Sequence, residues 1–86
     1  MSRRGTITAR ALRLAASQVR GARSMGVETD AVRQAPMLLD QARRVLARLE
    51  RRADEEHYLH GHGRAAAQYQ AMLEAVRDLE QALIQG

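Results

Sequence analysis

The sequence predicts an all-α fold: a long antiparallel helical hairpin with an N-terminal basic amphipathic helix, together a three-helix bundle. Three observations carry that prediction. Apolar residues recur at three- and four-residue spacing over most of the chain. β-branched residues are sparse and strict apolar–polar alternation is absent, which leaves no case for strands. Glycines and a lone proline, Pro36, divide the chain into segments of helical length.

The first helix is expected over about 6–25, with Thr6 as N-cap and Gly26 directly after its end. At 100° per residue Ile7, Ala11, Leu14, Ala15, Val19 and Ala22 share one face, and Arg10, Arg13, Arg20 and Arg23 lie roughly opposite. Residues 26–35 read as a connector holding one short turn capped by Thr29 or Asp30. Pro36 lacks an N–H and its ring crowds the preceding turn, so a bend or break is expected there. Pro36 would then open the second helix, 36–60, which carries Leu39, Ala42, Leu46, Leu49 and Ala53 flanked by Leu38 and Val45. Gly61-His62-Gly63 is so short a link that the next helix must return antiparallel. The third helix, about 64–85, has the clearest pattern. Tyr69, Met72, Val76, Leu79 and Leu83 follow the 3-4 alternation of a coiled-coil seam.

Composition bounds the function more by exclusion than by indication. At 86 residues the chain is one small domain, and it has no cysteine. Disulfide frameworks, thiolate zinc sites and cysteine nucleophiles are therefore excluded. No apolar run approaches the ~18 residues that a spanning helix needs. Ser2-Arg3-Arg4 resembles the start of a twin-arginine export signal, but Arg10 and Arg13 interrupt what should be its apolar stretch. The acid-free, arginine-rich N-terminus also resembles a transit peptide, a composition that suits an ordinary bacterial helix equally well. The expected location is the cytoplasm. All 14 basic residues are arginine, and residues 1–27 hold six of them without a single acid. A basic segment on a near-neutral body points to an anionic partner, or simply to a solvated face.

Three functional readings follow. The first is a helical protein–protein interaction or assembly module (adaptor, co-chaperone, inhibitor or oligomer subunit), with itself or another helical protein as partner. Sixteen alanines and few large side chains make a thin core, so docking would add the burial that folding alone lacks. Ala66, Leu73 and Ile84 lie to one side of the third helix's seam and, with Leu38 and Val45, are the candidate contact residues.

The second reading is DNA binding. Residues 18–34, QVRGARSMGVETDAVRQ, resemble a helix-turn-helix: Ala22 is the small residue where helices cross, Gly26 the left-handed turn residue, and Val32 a buried residue of the second helix. The resemblance implies base contacts from Glu28, Thr29, Asp30 and Arg33, with Arg10, Arg13, Arg20 and Arg23 on phosphates. The segment departs from the pattern at Gly21, at its two acids and at Pro36.

The third reading is a metal-binding hairpin tip formed by His57, His60 and His62, with Asp54 one turn before His57. Histidines at a helix C-terminus also serve simply to complement its dipole. Catalysis has no support: Ser17 lacks an evident base, and no phosphate-binding loop or lysine exists. No cofactor is expected. Arg48, Arg51 and Arg52 interleave with Glu50, Asp54, Glu55 and Glu56 at the spacing of weak intrahelical ion pairs.

Overall fold

The computed structural model describes residues 7–60 and 64–84, and side chains within 7–55 and 66–84. It contains three helices: α1 (Ala9–Met25), α2 (Asp30–His60) and α3 (Arg64–Ile84). Their 17, 31 and 21 residues correspond to about 26, 46 and 32 Å of helix. The protein is an all-α three-helix bundle, with no strand among the described residues.

α1 begins at a threonine because a helix start leaves N–H groups unpaired and a hydroxyl can accept from one of them. The capping residue is Thr8, whose Oγ1 accepts from the Ala11 N–H at 3.1 Å. Thr6, the cap expected from sequence, lies outside the described residues. The helix ends at Gly26, whose φ of +71° places it in the left-handed region. The Gly26 N–H bonds the Arg23 carbonyl at 3.1 Å and the Val27 N–H bonds Ala22 at 2.9 Å, the paired closure of a Schellman ending.

The connector is far shorter than the sequence implies. α2 starts at Asp30, capped by Thr29, whose Oγ1 accepts from the Val32 N–H at 3.4 Å. The helix then runs unbroken through Pro36. The expectation that residues 26–35 form a connector and that Pro36 opens the helix is therefore corrected. Proline costs ~3 kcal/mol inside a helix, yet here the two turns before it are anchored. Thr29 caps them, Asp30 sits favourably in the first turn, and Ala35 is fully buried in the core. Alanine is also the residue that a following proline crowds least among those with a Cβ.

α1 and α2 both pack on α3, and touch each other much less. Ion pairs join residues 13 and 20 of α1 to residues 74 and 78 of α3, so these helices run parallel. α2 runs opposite to both, giving an up-down-up arrangement with α3 as the shared element. The molecule is elongated and flat, 49 × 33 × 16 Å. Its radius of gyration of 14.7 Å exceeds the roughly 12 Å expected of a globule this long.

The core is one cluster made of Leu12, Ala15, Ala16 and Val19 from α1, Ala35, Leu39, Ala42 and Val45 from α2, and Met72, Ala75, Val76, Leu79 and Ala82 from α3. The α3 seam thus lies where its periodicity put it, with Leu83 half-buried against it. The buried stripe of α1 differs from the expected one. Leu12 and Ala16 are inside, whereas Ala11 and Leu14 are exposed, a rotation of roughly 80°. That rotation presents α3 with the small side chain of Ala16 and brings Arg13 and Arg20 alongside its carboxylates.

Two glycines predict opposite outcomes for the same substitution. Gly21 lies mid-helix with nothing within 4 Å of a Cβ built on it, so Gly21→Ala should stabilise by about 0.5–1 kcal/mol. Gly26 has equal space but a positive φ, so Gly26→Ala should destabilise by about 1–2 kcal/mol. Urea denaturation of both variants checks the pair, and the same sign for both would contradict the assigned α1 ending.

Candidate functional site

No charged or polar side chain is buried among the described residues, and none of their buried polar atoms lacks a hydrogen-bond partner. The core therefore offers no group for chemistry. Whatever this surface does, it does with exposed arginines, exposed apolar side chains and one cleft.

The arginines of α1 turn mostly inward along the bundle. Arg20 pairs with the Asp78 carboxylate, and its Nη2 also donates to the Asp78 backbone carbonyl at 3.2 Å. Arg13 faces Glu74 at 3.7 Å, and Arg43 of α2 pairs with Glu80 at 2.6 Å. Thus α3 supplies acid to both neighbours, and the charge segregation visible in the sequence becomes a set of interhelical pairs. Arg44 pairs with Asp40 at 2.8 Å within α2. The intrahelical pairs expected among Arg48, Glu50, Arg51, Arg52, Asp54 and Glu55 do not form.

The helix-turn-helix residues have a mixed outcome. A left-handed glycine joins two helices, and Ala22 is buried at their approach. The residues assigned to base contact are occupied locally: Thr29 caps α2, and Arg33 pairs with Asp30 and faces Glu28 at 3.8 Å. Among the phosphate-contact arginines, Arg13 and Arg20 are held by α3, Arg23 is also engaged, and Arg10 has no partner among the described residues.

The expected partner-contact residues separate into two groups. Val45 is buried in the core and Leu38 is half-buried against it, so neither stands on an exposed contact face, and Val45 meets the outside only along the wall of a cleft. They were misplaced because α2 begins earlier than expected, and its apolar face meets α1 as well as α3. Ala66 and Ile84 are exposed and Leu73 is half-buried outside the core cluster. α1 does not cover that flank, because its contacts on α3 lie towards Glu74, Ala75 and Asp78. Side chains of His57 and His60, at the end of α2, and His62 lie outside the described residues. Among the described residues no three histidines or acids converge as a metal site.

Two features were not foreseen from sequence. One is an apolar pole. Met25 ends α1, Val27 lies in the turn, Met37 lies in the second turn of α2 and Ile84 ends α3, all at the same end of an up-down-up bundle. Met25 and Ile84 are 76% and 79% exposed. Their spacing in sequence gives no periodic signal, since they come from different elements. The other feature is a cleft of about 480 Å³ at the opposite end, walled by Ile7, Ala9, Val45 and Leu49, floored by Ala71 and Met72, and edged by Arg48 and Arg52.

No family model matches the chain, and comparison with curated proteins and solved structures gives no significant match. No described helix is long and apolar enough to cross a membrane.

Because the interhelical pairs are all at least one-third exposed, each should contribute little. Asp78→Asn should cost about 1 kcal/mol or less, with the loss shrinking in ~1 M salt as the remaining pairs are screened. Thermal melts at low and high salt test this. The histidine reading has its own check: a chelator should leave the melting temperature unchanged, and a shift of many degrees would establish a structural metal.

Proposed function

We propose that this protein is a non-enzymatic helical interaction and assembly module of the cytoplasm, which docks a second copy or another protein's helix through its apolar pole. The observation that carries the proposal is the convergence of Met25, Val27, Met37 and Ile84 at one end, where none of them serves the core. Scattered apolar residues need no explanation, but four exposed ones from three helices and a turn at the same end are what an interaction surface there would use.

Ala66 and Leu73 share the outer flank of α3 with Ile84, interrupted there by the exposed Gln70 and Arg77. DNA binding is the weaker reading, because the groups it needs are spent within the chain: Thr29 on its cap, and Arg13, Arg20 and Arg33 on carboxylates.

Solution mass by light scattering is the direct test. The wild-type chain should self-associate at roughly tens of micromolar, and Met37→Glu with Ile84→Glu should lower its mass while preserving helical circular dichroism. Both positions are exposed, so neither substitution threatens the fold. A monomer at every concentration would leave only a foreign partner. Binding of duplex DNA at physiological salt with submicromolar affinity would instead favour the helix-turn-helix reading.

A further inference from the structure

The cleft at the opposite end is independent of the apolar pole, and its chemistry specifies an occupant more closely. Its lining is mostly apolar: Ile7 just before α1 and Ala9 at its start, Val45 and Leu49 from α2, Ala71 and Met72 from α3, with Thr8 and Gln68 as its uncharged polar members. Its edge is basic. Arg48 and Arg52 stand four residues apart on α2, hence about 6 Å apart along one helix face.

Neither arginine has a partner among the described residues, in a chain where Arg13, Arg20, Arg33, Arg43 and Arg44 all pair with acids. The cleft thus sets two cations at the edge of an apolar hollow, and no described carboxylate of α3 reaches them. Arginine forks recognise carboxylates in paired hydrogen bonds, and the apolar floor repels the hydrated ions that would otherwise screen them.

We propose that this cleft docks an acidic amphipathic helix of a partner protein, which places large apolar side chains in the hollow and carboxylates one turn apart against Arg48 and Arg52. The occupant is a helix because the lining offers no strand to pair with, only three helices and the two residues that lead into α1. The cleft has no sheet edge, so an extended peptide would find no backbone partners, whereas a helix satisfies its own. It is a macromolecule rather than a small amphiphile because the cleft is open on its outer side, whereas small-ligand sites bury most of their ligand. Its acidity follows from charge complementarity with Arg48 and Arg52. The proposal shares with the preceding section only the premise that the chain is an interaction module, and it uses a separate surface.

The test uses the full chain and two fluorescent synthetic helices of roughly five turns. They carry the same leucine stripe, one flanked by glutamates and the other by lysines. Anisotropy at near-physiological salt should show saturable binding of the acidic peptide, at least about tenfold tighter than of the basic one. Arg48→Ala with Arg52→Ala should weaken acidic-peptide binding by about tenfold or more, with circular dichroism unchanged. Ala71→Leu, which fills the floor, should weaken it while leaving the charges intact.

No saturable binding up to about 1 mM, equal binding of the two peptides, or indifference to the arginine substitutions would overturn the proposal. So would tighter binding of decanoate than of the acidic peptide, which would assign the hollow to a small amphiphile. Met37→Glu with Ile84→Glu should leave peptide binding unchanged. A monomeric wild-type chain that still binds the peptide would therefore remove the apolar-pole assembly and keep the cleft.

Discussion

The packing of both other helices on α3, with little contact between themselves, is the constraint on which the rest of the structure depends. A middle helix must present two contact faces, and α3 does so with alternating sizes: Met72, Val76 and Leu79 with bulk, Ala75 and Ala82 without. Ala16 on α1 and Ala42 on α2, both fully buried, meet it with equally small side chains. Helix axes separated by small residues approach the lower end of the usual 8–10 Å, where backbone contact partly replaces side-chain burial. The alanine content that looks like a deficiency of core in the composition is what lets this arrangement close. Only Leu12, Val19 and Leu79 are large and essentially sealed from water, so the apolar driving force is modest and concentrated on the α1–α3 contact.

The same constraint sorts the charges. With α3 flanked on both sides, its carboxylates at Glu74, Asp78 and Glu80 stand at the edges of the two interfaces, where arginines from α1 and α2 reach them. Exposed pairs of this kind add little stability, but they act on register. Sliding α1 by one turn would bring Arg13 and Arg20 beside other α3 residues. An alanine-rich interface has weak shape selectivity of its own, so polar edges of this sort are well suited to fixing how its helices align. The basic character of the N-terminal segment is thereby largely absorbed within the fold. Two of the arginines without a described partner, Arg48 and Arg52, stand at the cleft.

The sequence disclosed the elements better than their relations. The 3-4 alternation of Met72, Val76 and Leu79 was legible because it is a local property of one helix, and Gly61-His62-Gly63 forced the hairpin by its shortness alone. Pro36 misled because its penalty is local while its compensation is not. The burial of Ala35 against the bundle cannot be read from its neighbours in sequence. The face of α1 was misjudged for a related reason. Leu12 and Leu14 are equivalent as apolar residues, and only the position of α3 decides that the first is sealed and the second is 59% exposed. The acid partners of Arg13 and Arg20 lie about sixty residues away in the chain, beyond any pattern of helical spacing.

That dependence on tertiary placement also explains why the two surface features escaped sequence reasoning. Each is assembled from the ends of helices. The apolar pole exists because α1 and α3 run parallel and finish together beside the start of α2. The cleft lies at the other end, where the residues that open α1 face Val45 and Leu49 of α2 and Ala71 and Met72 of α3. The packing of the three helices therefore places exposed apolar residues at one end and a basic-edged, apolar-floored hollow at the other.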